Sequence, residues 1–263
     1  MVRRRRRRSK RKSNNRKLWI WGCVALFTLA VILVVDLKPW RRKHATVSDE
    51  WPYHDLTKGE YTKDFDGLDL SRHQGKIHWD ELVDENPQLK FVYLKATEGG
   101  DNIDKTYAYN IELAHKYGLK VGSYHFFRPK TDLTKQLENF RTQCRPEDQD
   151  LLPMIDIETK SGLPTEEFCD SLLKFLSMVE KEYKQKPLLY TFTNFYDNYL
   201  SGKIDGYKLM IAQYTQREPV LKDGRDITMW QYTGKGRING INGFVDKSRF
   251  LKNHGLREIR FHH

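Results

Sequence analysis

Two rhythms of apolar and polar positions run through the chain from residue 67 onward. Short apolar runs with period-two alternation read as strands at 67–71, 91–99, 121–127, 154–158, 187–193, 208–215, 227–233 and 243–246. Between the earlier ones the period lengthens to that of a helix, at 79–85, 104–117, 131–143, 165–184 and 194–200. The helix at 165–184 has the clearest signal, with Phe168, Leu172, Leu176, Val179 and Tyr183 on one stripe after Pro164 and Thr165. Beyond residue 200 the connections at 216–226 and 234–242 are too polar and too rich in Gly or Pro to pack as helices. The pattern therefore predicts eight strands, five followed by helices and three not. Repeated strand–helix units favour a parallel sheet with right-handed crossovers, and eight strands permit closure into a barrel. An antiparallel member is expected among the last three, because parallel pairing needs a long crossover. The fold class expected is α/β, an irregular TIM-like barrel.

A different pattern precedes this. Residues 18–37, "LWIWGCVALFTLAVILVVDL", form a 20-residue apolar run whose one charge is Asp36. As a helix it is about 30 Å long, matching a bilayer core. Eleven Lys and Arg precede it, and Lys38, Arg41, Arg42 and Lys43 follow closely. The positive-inside rule then puts the N-terminus in the cytoplasm and the rest of the chain outside. The run is long for a cleaved signal peptide, and no small-x-small cleavage pattern follows it. The organisation expected is a basic cytoplasmic tail over 1–17, a transmembrane anchor over 18–37, a linker over 38–66 and a barrel domain over 67–263.

Charge supports that division. The chain is +11 overall, yet residues 1–43 hold 15 Lys/Arg against one acid, so the remaining 220 residues carry −3. The six arginines at 3–8 resemble a nucleic-acid patch in isolation, but ahead of an apolar run they read as a topology signal, and no nucleic-acid partner is expected. Cys144 and Cys169 fall in a disulfide-permissive compartment and read either as a bridge or as two buried thiols. His73, His78 and His125 lack ligand spacing, so neither a metal nor any other cofactor is expected.

The chemistry collects at strand ends. In "LLPMIDIETK" (151–160) the carboxylates Asp156 and Glu158 alternate with apolar residues and face the same side, with Met154. Two like charges on one face repel and lose hydration, a cost a fold accepts at a cleft. In parallel barrels the active site lies at the C-terminal strand ends. Those ends supply Asp69, then Lys95 and Glu98, Tyr124 and His125, Asp156 and Glu158, Tyr190, Gln213, then Trp230, Gln231 and Tyr232, and finally Asp246. Carboxylates among aromatic rings suit carbohydrate, since rings stack on sugar faces and carboxylates supply acid/base chemistry. Each has a plainer reading too: a capped turn for Asp69 and Asp246, a core hydrogen bond for His125, barrel filling for the aromatics, an ion pair for Lys95 and Glu98.

The segments "GLDLSRHQGKIHW", "VYLKATEG", "VGSYHFFRP", "PMIDIE" and "MWQYTGKGRINGINGFVD" resemble, in order, the motifs of glycoside hydrolase family 25, the Chalaropsis-type lysozymes. The resemblance runs over about residues 66–250. It implies an irregular barrel of five β/α units plus three strands, and cleavage of the β-1,4 bond between N-acetylmuramic acid and N-acetylglucosamine. It also implies catalytic positions for Asp156, Glu158, Asp69 and Asp246, and of these Glu158 is the expected general acid, because neighbouring carboxylates and partial burial raise its proton affinity. Tyr124, His125, Lys95, Glu98, Tyr190, Gln213, Trp230, Gln231 and Tyr232 are the expected substrate contacts. The whole would be a membrane-anchored muramidase acting on peptidoglycan outside the cytoplasmic membrane. Two alternatives stand beside it. One is a non-catalytic glycan-binding barrel. The other is a chitinase-like enzyme of family 18, whose pattern places an Asp where this chain has Met154.

Overall fold

The computed structural model describes residues 64–263. The basic tail, the apolar run at 18–37 and the linker as far as residue 63 lie outside the described residues. Among the described residues no helix is long and apolar enough to cross a membrane.

Nine strands form one sheet: β1 (Gly67–Leu70), β2 (Phe91–Glu98), β3 (Asn102–Ile103), β4 (Lys120–Phe126), β5 (Met154–Asp156), β6 (Leu188–Phe192), β7 (Leu209–Ala212), β8 (Met229–Gly236) and β9 (Val245–Phe250). Eight of them run in the order β1-β9-β8-β7-β6-β5-β4-β2, and β2 pairs back onto β1 to close a barrel. The pairs from β1–β2 through β7–β8 are parallel, and β9 is antiparallel to both β8 and β1. The two-residue β3, absent from the sequence reading, folds back antiparallel on the end of β2. It is too short to carry a hydrophobic period.

Five helical segments follow the first five barrel strands: α1 (Trp79–Asp84), α2 (Tyr107–Lys116), α3 (Leu133–Gln143), α4 (Thr165–Tyr183) and α5 (Thr193–Phe195), the last continuing as a π turn over Tyr196–Leu200. Helix α4 starts after Pro164, carries Glu166 and Glu167 in its first turn, and stops at Lys184, whose φ of 58° is left-handed. Acids at the start suit the helix dipole, and the left-handed residue ends the repeat. Its stripe of Phe168, Leu172, Phe175, Leu176, Val179 and Tyr183 is buried, Phe175 against Phe127 in a stacked pair 5.1 Å apart. Phe65 is also buried and packs under Lys247, so core packing begins just before residue 67.

Alternation along the strands decides which side chains enter the barrel. Phe91 and Tyr93 point inward and plug its lower half, with the Tyr93 hydroxyl donating to Leu152 O at 3.1 Å. Glycines on the flanking strands make room for them: a Cβ at Gly67 would lie 2.2 Å from the Phe91 ring, and one at Gly122 2.3 Å from Tyr93. The barrel is therefore filled at the N-terminal ends of its strands, and its polar residues are confined to the other end.

One expectation about the last strand is corrected. It covers Val245–Phe250, and Asp246 stands near its beginning, not its end. Because β9 runs antiparallel, its first residues lie at the same end of the barrel as the C-terminal ends of the parallel strands. Cys144 and Cys169 are separate buried thiols, so the bridge is not formed.

Candidate active site

At the open end of the barrel a small pocket is lined by Asp69, Tyr124, Met154, Asp156, Glu158, Tyr190, Gln231 and Asp246. Each lining residue sits on an inward position of its strand, or just past its end. Asp69 is the Cα partner of Asp246 across β1–β9, Tyr124 of Met154 across β4–β5, and Asp156 of Tyr190 across β5–β6. Glu158 lies two residues past Asp156, where the chain is still held in line: Ile157 N donates to Tyr190 O at 2.9 Å, and the Thr191 hydroxyl donates to Ile157 O at 2.6 Å.

A chain of side-chain hydrogen bonds fixes the back of the pocket. The hydroxyls of Tyr190 and Tyr214 each donate to Gln231 Oε1 at 2.8 Å. That leaves the Gln231 amide nitrogen to donate to Asp69 Oδ2 at 2.7 Å, where Ser248 Oγ also donates at 3.3 Å. The two tyrosines thus determine which way the amide points. Gly234 lets this part of the pocket close up, because a Cβ there would lie 2.9 Å from Asp246 Oδ1 and 3.2 Å from the Tyr214 hydroxyl.

Burial of four carboxyls in one pocket raises their proton affinity. Asp69 is pushed up to about 7 by burial, against the pull of its bonds from Gln231 and Ser248. Asp246 is likewise pushed up to about 7 by burial, then by the charges of Asp69 and Glu158. Asp156 lies well above the usual carboxylate range through burial and the neighbouring Glu158. Glu158 is raised by burial, opposed by its hydrogen bond with Asp156 and by Lys95 and Arg128. Asp156 and Glu158 are close enough to share a proton, which suits acid/base exchange near neutral pH. Asp69 Oδ1 and Asp156 Oδ1 are buried with no hydrogen-bond partner among the described residues. Two acceptors aimed into a pocket are available to hydroxyl and amide donors of a bound sugar. Among the described residues no group of His, Cys, Asp and Glu is arranged to hold a metal.

The other expected contacts separate into two groups. Lys95 and Glu98 stand on the rim, paired at 2.7 Å. His125, Gln213, Trp230 and Tyr232 are not in the pocket lining, which corrects the sequence reading. His125 alternates outward from Tyr124, packs between Phe140 and Phe175, and bonds Thr97 and Gln136 at 2.8 and 3.2 Å. Trp230 points outward from β8, donating its ring N–H to Gln213 O at 2.8 Å beneath Arg249, with Tyr232 edge-on beside it. The Gln213 side chain accepts from Thr193 at the start of α5 and donates to Thr215 and Arg217 in the loop that follows β7. Strand-end position alone selects both faces of a strand, and only one faces the pocket.

Two residues near the pocket were missed, Tyr214 and Arg128. Both lie two residues beyond an inward-facing strand terminus, Ala212 and Phe126 respectively, so extending the alternation past the strand end would have found them.

Comparison with known proteins agrees with this geometry. The sequence model of "Glycosyl hydrolases family 25" matches residues 68–241. The Escherichia coli K12 protein YegX is 33% identical over 187 residues, covering 70% of this chain and 68% of its own. The autolytic lysozyme of Clostridium acetobutylicum is 29% identical over 184 residues, covering 70% of this chain and 55% of its own. The structure of a family 25 glycosyl hydrolase from Bacillus anthracis superposes with a TM-score of 0.65 at 33% identity, over 71% of this chain and 88% of that one. A closed α/β barrel with its carboxyls gathered at one end, matched by the family over most of its length, makes this chain a member of glycosyl hydrolase family 25.

Proposed function

We propose that the chain is a muramidase that hydrolyses the β-1,4 bond between N-acetylmuramic acid and N-acetylglucosamine in peptidoglycan. The observation that carries this reading is the Asp156–Glu158 pair in a pocket closed by Asp69 and Asp246. Two of the similar proteins named above are a lysozyme and a family 25 glycosyl hydrolase.

In the reaction, Glu158 donates its proton to the glycosidic oxygen as the bond to C1 breaks. Asp156 and Glu158 are hydrogen-bonded neighbours on one side of the pocket, an arrangement that suits retention with the substrate's own 2-acetamido group as nucleophile. The 2-acetamido oxygen closes on C1 and forms a cyclic oxazolinium, while Asp156 accepts the acetamido N–H and stabilises the developing positive charge. Glu158, now a carboxylate, takes a proton from water as that water opens the ring at C1. The product keeps the original anomeric configuration, and Glu158 is again protonated. Asp69 and Asp246 hold substrate hydroxyls and set the charge of the pocket.

The test is release of new reducing ends from peptidoglycan by the purified chain, beside chitin oligomers. Release of muramic-acid reducing ends by wild type and not by Glu158→Gln is expected. Equal release by both would sink the reading.

The second part of the proposal concerns place. Residues 18–37 serve as an uncleaved membrane anchor, with the N-terminus inside and the barrel outside the cytoplasmic membrane. Support comes from the length of the apolar run and the basic excess before it. Alkaline extraction of membranes should leave the full chain in the pellet. Protease added outside spheroplasts should digest the barrel. Recovery of the intact chain in the alkaline supernatant would contradict the anchor.

A further inference from the structure

We propose that Arg128, together with Lys95, forms a carboxylate-binding subsite beside the acid pair. It takes an acidic substituent of the glycan, either the lactyl carboxylate of a muramic acid residue or a carboxylate on the peptide attached to it. The inference rests on the muramidase reading and says how such an enzyme would tell an acidic sugar from a neutral one.

The subsite is built on the inward face of β2 and β4, next to Asp156. Phe126 is the Cα partner of both Glu98 and Asp156. The Arg128 guanidinium lies over its ring at 4.4 Å, and Lys95 Nζ lies 5.1 Å from the same ring. Glu98 ties the two cations together, taking Lys95 on Oε2 at 2.7 Å and the Arg128 Nε on Oε1 at 3.0 Å. The Arg128 backbone is clamped as well. Gln136, fully buried, accepts from Arg128 N and donates to Arg128 O, both at 2.9 Å. His125 in turn bonds that glutamine at 3.2 Å. The arginine is therefore held in place before any ligand arrives, which lowers the entropy cost of binding.

Charge gives this arrangement its use. Two cations and one acid leave one net positive charge on the rim, and the influence of both cations reaches Glu158. Inside the pocket stand four carboxyls, which repel any anionic substrate group. An acidic substituent is accommodated only where a cation offsets that repulsion, and these two are the cations that reach the acid pair. Arg128 Nη1 makes no hydrogen bond among the described residues, and its side chain is 42% exposed. A guanidinium with one edge held by Glu98 and another open to solvent is suited to a carboxylate.

The test uses the full chain in detergent with three substrates. These are stem-free glycan strands with free lactyl carboxylates, intact peptidoglycan with the lactyl group amidated by its peptide, and the stem-free strands with their carboxylates converted to methylamides. Arg128→Gln should raise KM on acidic substrate by about tenfold, equivalent to about 1.4 kcal/mol, with no comparable rise in KM on the methylamides, while any change in kcat through Glu158 should be the same on both. Arg128→Lys should recover part of the loss. A KM effect largest on stem-free strands assigns the lactyl carboxylate, and one confined to intact peptidoglycan assigns the peptide. In wild type, added salt should raise KM on the acidic substrate only. Equal KM changes on acidic and methylamide strands, or a loss in kcat alone, would overturn the subsite. If wild type cleaves none of the three, the muramidase reading falls instead. Equilibrium binding of N-acetylmuramic acid against N-acetylglucosamine then decides the subsite: a preference for the acid that Arg128→Gln abolishes supports it, and no preference refutes it.

Discussion

Asp69 and Asp246 face each other as Cα partners where the first and last strands of the barrel meet, and burial pushes both carboxyls up to about 7. Nearly 180 residues of sequence separate them. Closure of the sheet puts them in contact range of one ligand.

The pH dependence of stability follows. A carboxyl near 3.8 in the unfolded chain and near 7 in the folded one binds its proton more tightly when folded. Its contribution is therefore greatest in mild acid, falls as pH rises from about 4 to about 7, and is flat above that. His125 acts in the opposite sense, since burial lowers it to about 4, and it costs stability as pH falls from 6.5 towards 4. With Asp156 and Glu158 also raised, the carboxyls outnumber it. Asp246→Asn should raise Tm at pH 8 and leave it nearly unchanged at pH 4. Each kcal/mol recovered is worth about 2–4 °C. Thermal melts at the two pH values check this.

Glu158→Gln should lower kcat on peptidoglycan by roughly 10²–10⁴-fold, the range for loss of one acid/base group. The fold should be intact, because Glu158 lies past the end of its strand and is only half-buried. In wild type, kcat should fall on the alkaline side as the shared proton of the pair is lost, and this limb should be absent from the residual activity of the variant. Initial rates across pH decide it.

Gln231 acts through Asp69, as a positioning residue. Gln231→Glu keeps an oxygen for Tyr190 and Tyr214 but turns a second one towards Asp69 Oδ2, where the amide nitrogen now donates at 2.7 Å. A like charge at that range raises the proton affinity of Asp69 further. The carboxyl signal of Asp69, followed by NMR, should titrate at higher pH than in wild type. An unshifted titration would mean that Gln231 only fills space.

Gly234→Ala tests the close approach on β8. The new methyl meets the ends of Asp246 and Tyr214, both of which can move, so the barrel should stay folded while Asp246 is displaced. A misplacement of this kind costs between tenfold and a hundredfold in kcat/KM. A large loss of Tm with proportionate loss of activity would instead show a packing defect.

Much of the barrel was legible in the sequence because strand and helix periods are local. The stripe on α4 and the apolar strand at 154–157 declared themselves from spacing alone. Errors arose where a partner strand decides the outcome. The pattern ends the last strand at Asp246, whereas Asp246 stands near the beginning of β9, the antiparallel member expected among the last three. His125 and Trp230 were placed with the sugar contacts because they lie beside Tyr124 and Gln231. Each points the opposite way, into contacts with α3 and α4 or beneath Arg249.

What the sequence determined by itself was the succession of elements and the chemistry carried by each strand end, because a period of 2 or 3.6 residues is written in adjacent positions. What only the tertiary structure decided was which of those side chains share one solvent-poor pocket. Barrel closure brought Asp69 to Asp246, and the plug of Phe91 and Tyr93 confined the pocket to one end. Proton affinity is a property of that enclosure. The same carboxyls on an open strand would be solvated and ordinary, and it is their common burial that makes them able to hold and release a proton near neutral pH.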